Sequence, residues 1–254
     1  MKVTILGCGS STGVPRVGND WGACDPNEPK NRRTRCSILV DSGQTRLLVD
    51  TAPDLRQQLL DTETNDLDAV VYTHVHADQT HGIDDLRVLF LRKRARVPVY
   101  GDVETLAVLR RRFDYIFERP ANSPYPPIAE TYEIQPQTPF RVGDIEATAF
   151  LQEHGNIMSL GLRFGEIAYS NDVNALDEHA FDVLAGIKVW IVDALRYTPH
   201  PTHAHLDLTL EWIARVKPER AVLTNMHVDM DYQTLSRALP DHVVPAYDGM
   251  IIDV

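Results

Sequence analysis

Five stretches of this chain follow one plan: a short apolar run that ends on a residue type able to bind a metal ion. They are residues 47–50, ending on Asp50; 69–74, on His74; 167–172, on Asp172; 189–193, on Asp193; and 221–227, on His227. Short apolar runs of this kind read as buried strands. Sites in layered α/β folds gather outside the carboxyl ends of strands. The pattern therefore predicts that imidazoles and carboxylates distant in sequence meet along one edge of a sheet and make a metal centre.

The second run continues as His74-Val75-His76-Ala77-Asp78-Gln79-Thr80-His81-Gly82. Two His at i, i+2 just past a strand can aim at one point, and Asp78 adds an oxygen ligand. Neutral imidazole with carboxylate suits zinc, manganese or iron(II). The plain alternative is a polar loop with scattered His. Matching strand ends elsewhere in the chain favour the metal centre.

The 254 residues suffice for one large domain or two small ones, and 43% hydrophobic with 24% charged residues is ordinary for a globular protein. No stretch reads as a membrane span. The apolar run within Met1-Lys2-Val3-Thr4-Ile5-Leu6-Gly7 is too short for a secretory signal, so a cytoplasmic location is expected. Three Cys (Cys8, Cys24, Cys36), without repeated spacing, argue against a disulfide framework. A net charge of −11 disfavours broad binding to nucleic acid, which depends on neutralising phosphates. A small phosphorylated substrate stays compatible, because bound cations reverse the local potential.

The first strand is expected at residues 2–6. The glycine-rich turn Gly7-Cys8-Gly9-Ser10-Ser11-Thr12-Gly13 follows. Its spacing fits neither a dinucleotide fingerprint nor a P-loop, which leaves a turn whose backbone lies near the site. Residues 36–50 read as a hairpin turning at Asp41-Ser42-Gly43. Helices are expected near 53–60, 83–94, 103–113, 177–184 and 207–216. Further strands are expected near 97–100, 144–151, 157–164, 166–170, 188–193, 220–224, 243–245 and 250–254. Basic residues of the second and third helices, such as Arg87, Arg92 and Arg112, make either a phosphate-binding face or solvated surface. Residues 118–139 are rich in Pro, lack a period and read as an insertion or lid. The second half echoes the first as a weak ββ-α-β repeat. Two such halves packed sheet to sheet give an α/β four-layer αββα sandwich. No linker-like stretch divides them, so residues 1–254 read as one domain.

In this order the motifs resemble those of the metallo-β-lactamase fold hydrolases. That family has the αββα sandwich and the pattern His-x-His-x-Asp-His, followed by a distant His, Asp and His. Here His74, His76 and Asp78 fit the pattern, with Gln79 where the family usually has His. His154 in Gln152-Glu153-His154-Gly155, Asp172 and His227 fit the distant ligands, and Asp50 the early Asp that supports the site. The resemblance implies two divalent transition-metal ions, zinc or manganese. His74, His76 and His154 would hold the first; Asp78, His227 and residue 79 the second; Asp172 would bridge. A neutral amide is a weaker ligand than imidazole and favours harder ions. The second site is therefore expected to be weak, with His81 as the alternative ligand. Asp84, Asp85 and Asp193 stand open between orienting the ligands and capping or surface roles.

A narrower resemblance is to the cyclic phosphodiesterase branch. It rests on Gly13-Val14-Pro15, Arg32-Arg33 with Cys36-Ser37, His205-Leu206-Asp207-Leu208 and Asp248-Gly249-Met250. It implies a phosphodiesterase that cleaves a cyclic phosphate or nucleotide-like diester with metal-activated hydroxide. Asp78 would orient the nucleophile and His205 would be the catalytic acid. The plain reading of His205 is a surface residue in a loop it shares with His200 and His203. Members of the branch often carry a structural zinc. It is expected to be absent here, because only Cys24 remains of three Cys and Met230 stands at the fourth ligand. The expected partner is a small phosphorylated substrate, nucleotides included, with no membrane and no extended nucleic acid; a homodimer stays open. The alternatives are another hydrolase on this fold (lactonase, thioesterase or tRNA-trimming ribonuclease) and a non-catalytic nucleotide-binding protein with a weakened metal site.

Overall fold

The computed structural model describes residues 1–119 and 121–253. One seven-stranded sheet contains β1 (Lys2–Gly7), β2 (Ser37–Asp41), β3 (Arg46–Val49), β4 (Ala69–Val71), β5 (Val97–Gly101), β6 (Ala129–Glu133) and β14 (Ile251–Asp253), in the order β14-β1-β2-β3-β4-β5-β6. The other contains β7 (Pro139–Val142), β8 (Ile145–His154), β9 (Ile157–Phe164), β10 (Ile167–Ser170), β11 (Val189–Asp193), β12 (Arg220–Thr224) and β13 (Val243–Pro245), in the order β13-β12-β11-β10-β9-β8-β7. Helices α1 (Leu55–Asp61), α2 (Ala77–Thr80), α3 (Leu86–Lys93), α4 (Val103–Arg112) and α5 (Asp114–Phe117) connect strands of the first sheet. Helices α6 (Glu178–Leu184), α7 (Leu206–Val216) and α8 (Tyr232–Ala238) connect strands of the second. The result is the αββα sandwich.

Alternation along the strands explains the unbroken apolar runs. In β3, Leu47 and Val49 join the core between the sheets, whereas Leu48 packs with the helix layer beside Leu55, Leu86 and Leu106. In β4, Ala69 and Val71 face inward and Val70 outward. A strand covered on both faces has no polar face to show.

Pairing is parallel from β3 through β4 to β5, and from β10 through β11 to β12. Parallel pairing sends the carboxyl ends of these strands to the same edge, and the residues that follow them meet there. Three of those residues lie in the left-handed region: Asp50 (φ 63°), Asp172 (φ 51°) and Asn225 (φ 61°). Asp and Asn tolerate this conformation better than other side chains, and strain of this kind clusters at functional sites.

Residues 118–139 differ from the sequence expectation. Residues 129–133 form the edge strand β6, paired in parallel with β5. Its outer residues Glu130, Tyr132 and Glu133 are partly or fully exposed, so the apolar signal of a strand is weak. Residues 83–94 divide into a 3₁₀ turn over Ile83–Asp85 and helix α3. The basic residues there serve surface ties: Arg87 pairs with Asp84, Lys93 with Asp66 and Asp68, and Arg92 donates to the Asn65 carbonyl.

A polar network fixes the loop after β1. Arg33, 2% exposed, donates to the Met230 carbonyl (2.7 Å) and to Asn31 Oδ1 (3.2 Å). Asn31 Nδ2 donates to Asp231 Oδ2 at 2.7 Å. The Arg33 guanidinium faces Cys24 Sγ at 4.0 Å and so brings its own positive charge to the ground where the resembled branch would hold zinc.

Candidate metal centre

His74 follows β4 and is 1% exposed. The Thr73 backbone N–H donates to Asp50 Oδ1, and its hydroxyl donates to Asp50 Oδ2, both at 2.8 Å. With its proton so used, Thr73 Oγ1 accepts from His74 Nδ1 at 3.0 Å. That assignment leaves the lone pair on His74 Nε2, which is buried without a hydrogen-bond partner. Burial, with the neighbouring His154, His76 and His203, holds this imidazole well below its ordinary pKa and so in the neutral form that binds metals.

His154 ends β8 and repeats the device. Its Nδ1 donates to the Thr202 carbonyl at 2.7 Å, which frees Nε2 to face His76 Nδ1 at 3.2 Å. Burial lowers its pKa to about 4. Ligand atoms of His74, His76 and His154 lie within 4.8 Å of one another. With the proton of His154 on Nδ1, its Nε2 lone pair faces His76 Nδ1, and beside the orphaned Nε2 of His74 these ring nitrogens form a donor set for a cation. The residues present fit a metal ion.

Asp172, just past β10, lies beside this cluster with Oδ2 3.6 Å from His74 Nε2. Oδ2 also accepts from Gln79 Nε2 (2.7 Å) and Asn171 Nδ2 (3.0 Å), while Oδ1 accepts from Asn225 Nδ2 (3.0 Å). Burial raises its pKa. Gln79 is fully buried, its Nε2 also 3.4 Å from Asp78 Oδ2, and its Oε1 is unpartnered. His81 is turned away: it is exposed and its ring meets Phe113 edge-on at 5.6 Å. His227 stands apart from the imidazole cluster. Its Nδ1 bonds Asp229 Oδ1 at 2.8 Å, and its Nε2 accepts from the Arg16 guanidinium. Asp84 accepts from the Tyr115 hydroxyl at 2.6 Å and pairs with Arg87 at 3.6 Å.

The sequence reading expects the catalytic acid at His205. The structure also brings His203 into the cluster. The Ala204 N–H donates to the Val173 carbonyl (2.6 Å), and the Ala204 carbonyl accepts from the Leu195 N–H (3.0 Å), which seats the preceding residue over the ends of β10 and β11. His203 Nδ1 lies 2.9 Å from Asp193 Oδ2 and 3.3 Å from Asp172 Oδ1. Burial opposes its charge, but Asp193 and Asp172 outweigh that and push its pKa up to about 9. His205 begins α7 as its N-cap, and no hydrogen bond, ion pair or ring contact joins its ring to the centre among the described residues. The sequence reading singled out neither Thr73, Asn225 nor Arg16. Only the His-rich run His200–His205 signalled His203.

Comparison with known proteins identifies the fold and the family. Residues 45–226 match the family model described as a beta-lactamase superfamily domain. The chain belongs to this family and has the metallo-β-lactamase fold. A crystal structure of a diphosphatase from the PhnP family superposes with a TM-score of 0.92 at 32% identity, covering 100% of this chain and 97% of that one. Zn²⁺-bound PqqB from Methylobacterium extorquens shares the fold, with a TM-score of 0.80 at 18% identity and complete coverage of both chains. An octanoyltransferase of Porphyromonas gingivalis (strain ATCC BAA-308 / W83) is 33% identical over 100% of this chain, which covers 52% of that protein. The chain thus spans about half the length of this curated relative.

Proposed function

We propose that this protein is a metal-dependent phosphodiesterase acting on a small phosphorylated substrate, such as a cyclic phosphate or a nucleotide-like diester. The observation that carries the reading is the imidazole triad His74, His76 and His154, two of its members tautomerically locked, with the Asp172 carboxylate beside it. The 32% identity to a PhnP-family diphosphatase over the whole chain supports phosphorus chemistry. The transferase name of the longer relative gives no comparable support, because half of that protein lies outside the match.

On this reading His74, His76 and His154, with Asp172 beside them, would hold one ion, and Asp78, Gln79 and His227 would be the residues available to a second. Bound ions supply Lewis acidity at the phosphoryl oxygens and a nucleophile at neutral pH. The chain's own groups do the rest. Thr73 and Thr202 fix the His tautomers. Asp78 orients the attacking water. His203, held by Asp193 through Nδ1, keeps a proton to give to the departing oxygen, the part first read into His205.

The test is a panel of bis(p-nitrophenyl) phosphate, cyclic nucleotides and lactones, assayed with manganese and with zinc. Metal-dependent turnover of the phosphodiesters and none of the lactones is expected. Lactone turnover without phosphodiester turnover would move the protein to another branch of the fold.

A further inference from the structure

Beside His74 and Val75 opens a cleft of about 540 Å³. One wall is helix α4, which contributes Glu104 and Val108, one turn apart and so on the same face. The other is the turn between β8 and β9, with Glu153, Ile157 and Met158. Glu153 and Met158 are cross-strand partners, which sets a carboxylate beside a thioether. We infer that this cleft seats one ester arm of the substrate, and that the arm is an aliphatic chain ending in a primary ammonium group. The inference rests on the phosphodiesterase reading for the scissile phosphate and names the class of alcohol joined to it.

His74 joins the cleft to the chemistry. It lines the cleft, is 1% exposed, and its Nε2 has no hydrogen-bond partner. A phosphoryl group held at the triad therefore lies at the cleft, and one of its ester oxygens leads an arm into it. Both walls are anchored to the ligands. Arg112, at the end of α4, donates to the Val75 carbonyl between His74 and His76. The Gly155 N–H donates to Asn174 Oδ1 at 2.7 Å, and a Cβ on Gly155 would meet Thr202 Cγ2 at 2.5 Å. Thr202 is the residue whose carbonyl holds His154. The cleft is thus formed before a substrate arrives.

The lining selects the arm. Val75, Val108, Ile157 and Met158 give it an aliphatic surface. Met158 is 45% exposed, and an alkyl chain would cover that apolar area. Apart from His74, the described lining residues include no aromatic ring and no Lys or Arg. A nucleobase finds no platform to stack on, a quaternary ammonium no aromatic cage, and a second phosphate no cation. What the cleft offers instead is carboxylate. Asp102 spends Oδ1 on the Thr105 N–H as the cap of α4 (2.7 Å). The side chains of Glu104 and Glu153 make no hydrogen bond or ion pair among the described residues. A primary ammonium carries three N–H donors and the opposite charge, and so suits carboxylates from both walls at the end of an apolar track.

The manganese-loaded protein would be assayed with three p-nitrophenyl diesters whose second arm is alike in length but ends differently: 6-aminohexyl, heptyl and 6-carboxyhexyl. The value of kcat/KM should fall in that order. The amino ester should lead the heptyl ester by about 3- to 10-fold at low ionic strength, the worth of partly exposed charge pairs, and the lead should shrink in salt. Glu104→Gln combined with Glu153→Gln should erase the order, by a loss on the amino ester and a gain on the carboxy ester. Equal rates on the amino and heptyl esters, a heptyl ester ahead, or an order that survives the double substitution overturns the inference. If none of the esters is hydrolysed, the phosphodiesterase reading falls by itself. Calorimetry of the metal-loaded protein then compares 6-aminohexyl phosphate with heptyl phosphate. Tighter binding of the amine that the double substitution abolishes upholds the ammonium subsite, and equal binding ends it.

Discussion

The two halves of the centre are built differently. In the half made by His74, His76 and His154, the ring nitrogens converge within 4.8 Å, and a threonine hydroxyl or a backbone carbonyl fixes two of the rings. In the half made by Asp78, Gln79 and His227, the donors are dispersed. Gln79 turns its amide nitrogen towards Asp172, His81 packs on Phe113, and the Arg16 guanidinium holds His227 Nε2. The first half pays for ordering its ligands during folding, so an ion meets a finished site. In the second half an ion must reorient an amide and displace an arginine. On the proposed two-ion reading, one fold would carry a strong site and a weak one side by side, with the weakness in Gln79 and in the Arg16 contact to His227.

The largest expected effect is in the finished half. His74→Ala should strip the first ion and lower phosphodiester turnover by about 10³-fold or more, as for loss of the main electrostatic element of a site. Elemental analysis of dialysed protein reads the metal directly. Unchanged metal content in this variant would sink the division into halves. His203→Gln should leave the metal in place and lower turnover of esters with poor leaving groups by ~10²–10⁴, the range for a general acid. Nitrophenyl esters, which need no proton, should lose less. The same substitution at His205 serves as the contrast; if His205→Gln gives the larger, leaving-group-dependent loss, the acid is His205.

The weak half is tested by repair. Gln79→His should restore a third donor, and Arg16→Ala should release His227. Each should tighten the second ion by about tenfold or more, roughly the worth of one charged hydrogen bond or ligand contact. Titrating the metal-free variants with zinc and manganese reads this step apart from the first. A second binding step identical in wild type and both variants would show that residues 16 and 79 lie off its path.

Residues at the ends of the parallel strands were the legible part of the site. His74, Asp172 and Asp193 each follow an apolar run, because parallel strands buried on both faces end where the site begins. Strand β12 pointed to His227 by the same logic but could not show that Arg16, two hundred residues earlier, reaches it. His203 follows no strand. Its place depends on two backbone hydrogen bonds of Ala204 to Val173 and Leu195, which no local pattern encodes. His200, His203 and His205 look alike in sequence, and only tertiary contact selects among them. Strand β6 was hidden because an edge strand exposes half its residues. Helix α8 was hidden because its seven residues keep only Leu235 buried.

The smallest effect concerns what keeps Arg16 in place. Asp231 caps α8 through Thr234 and accepts from the Asp25 N–H and Asn31 Nδ2, so it ties the loop that follows Arg16 to the body of the protein. Burial works against its charge, but the donors from Thr234, Asn31 and Asp25 prevail and hold its carboxyl at about 2. A folded pKa below the unfolded value of about 3.9 gives stability that is present above pH ~4 and fades as pH falls through ~2. Asp231→Asn should therefore lower the Tm by about 2–4 °C at neutral pH, a typical cost for a weakened cap, and by less at pH 2–3, where the unfolded wild-type carboxyl is already protonated and the native one begins to be. Thermal melts of the metal-free protein across this range provide the check. A deficit that stays constant down to pH 2 would mean that the loss is one of shape, not charge. If the loop also biases the weak half, the same variant should tighten the second ion slightly, in the direction of Arg16→Ala but below its size. Tightening in Asp231→Asn that matches Arg16→Ala would show the loop, and not the guanidinium, to be what keeps His227 from the metal.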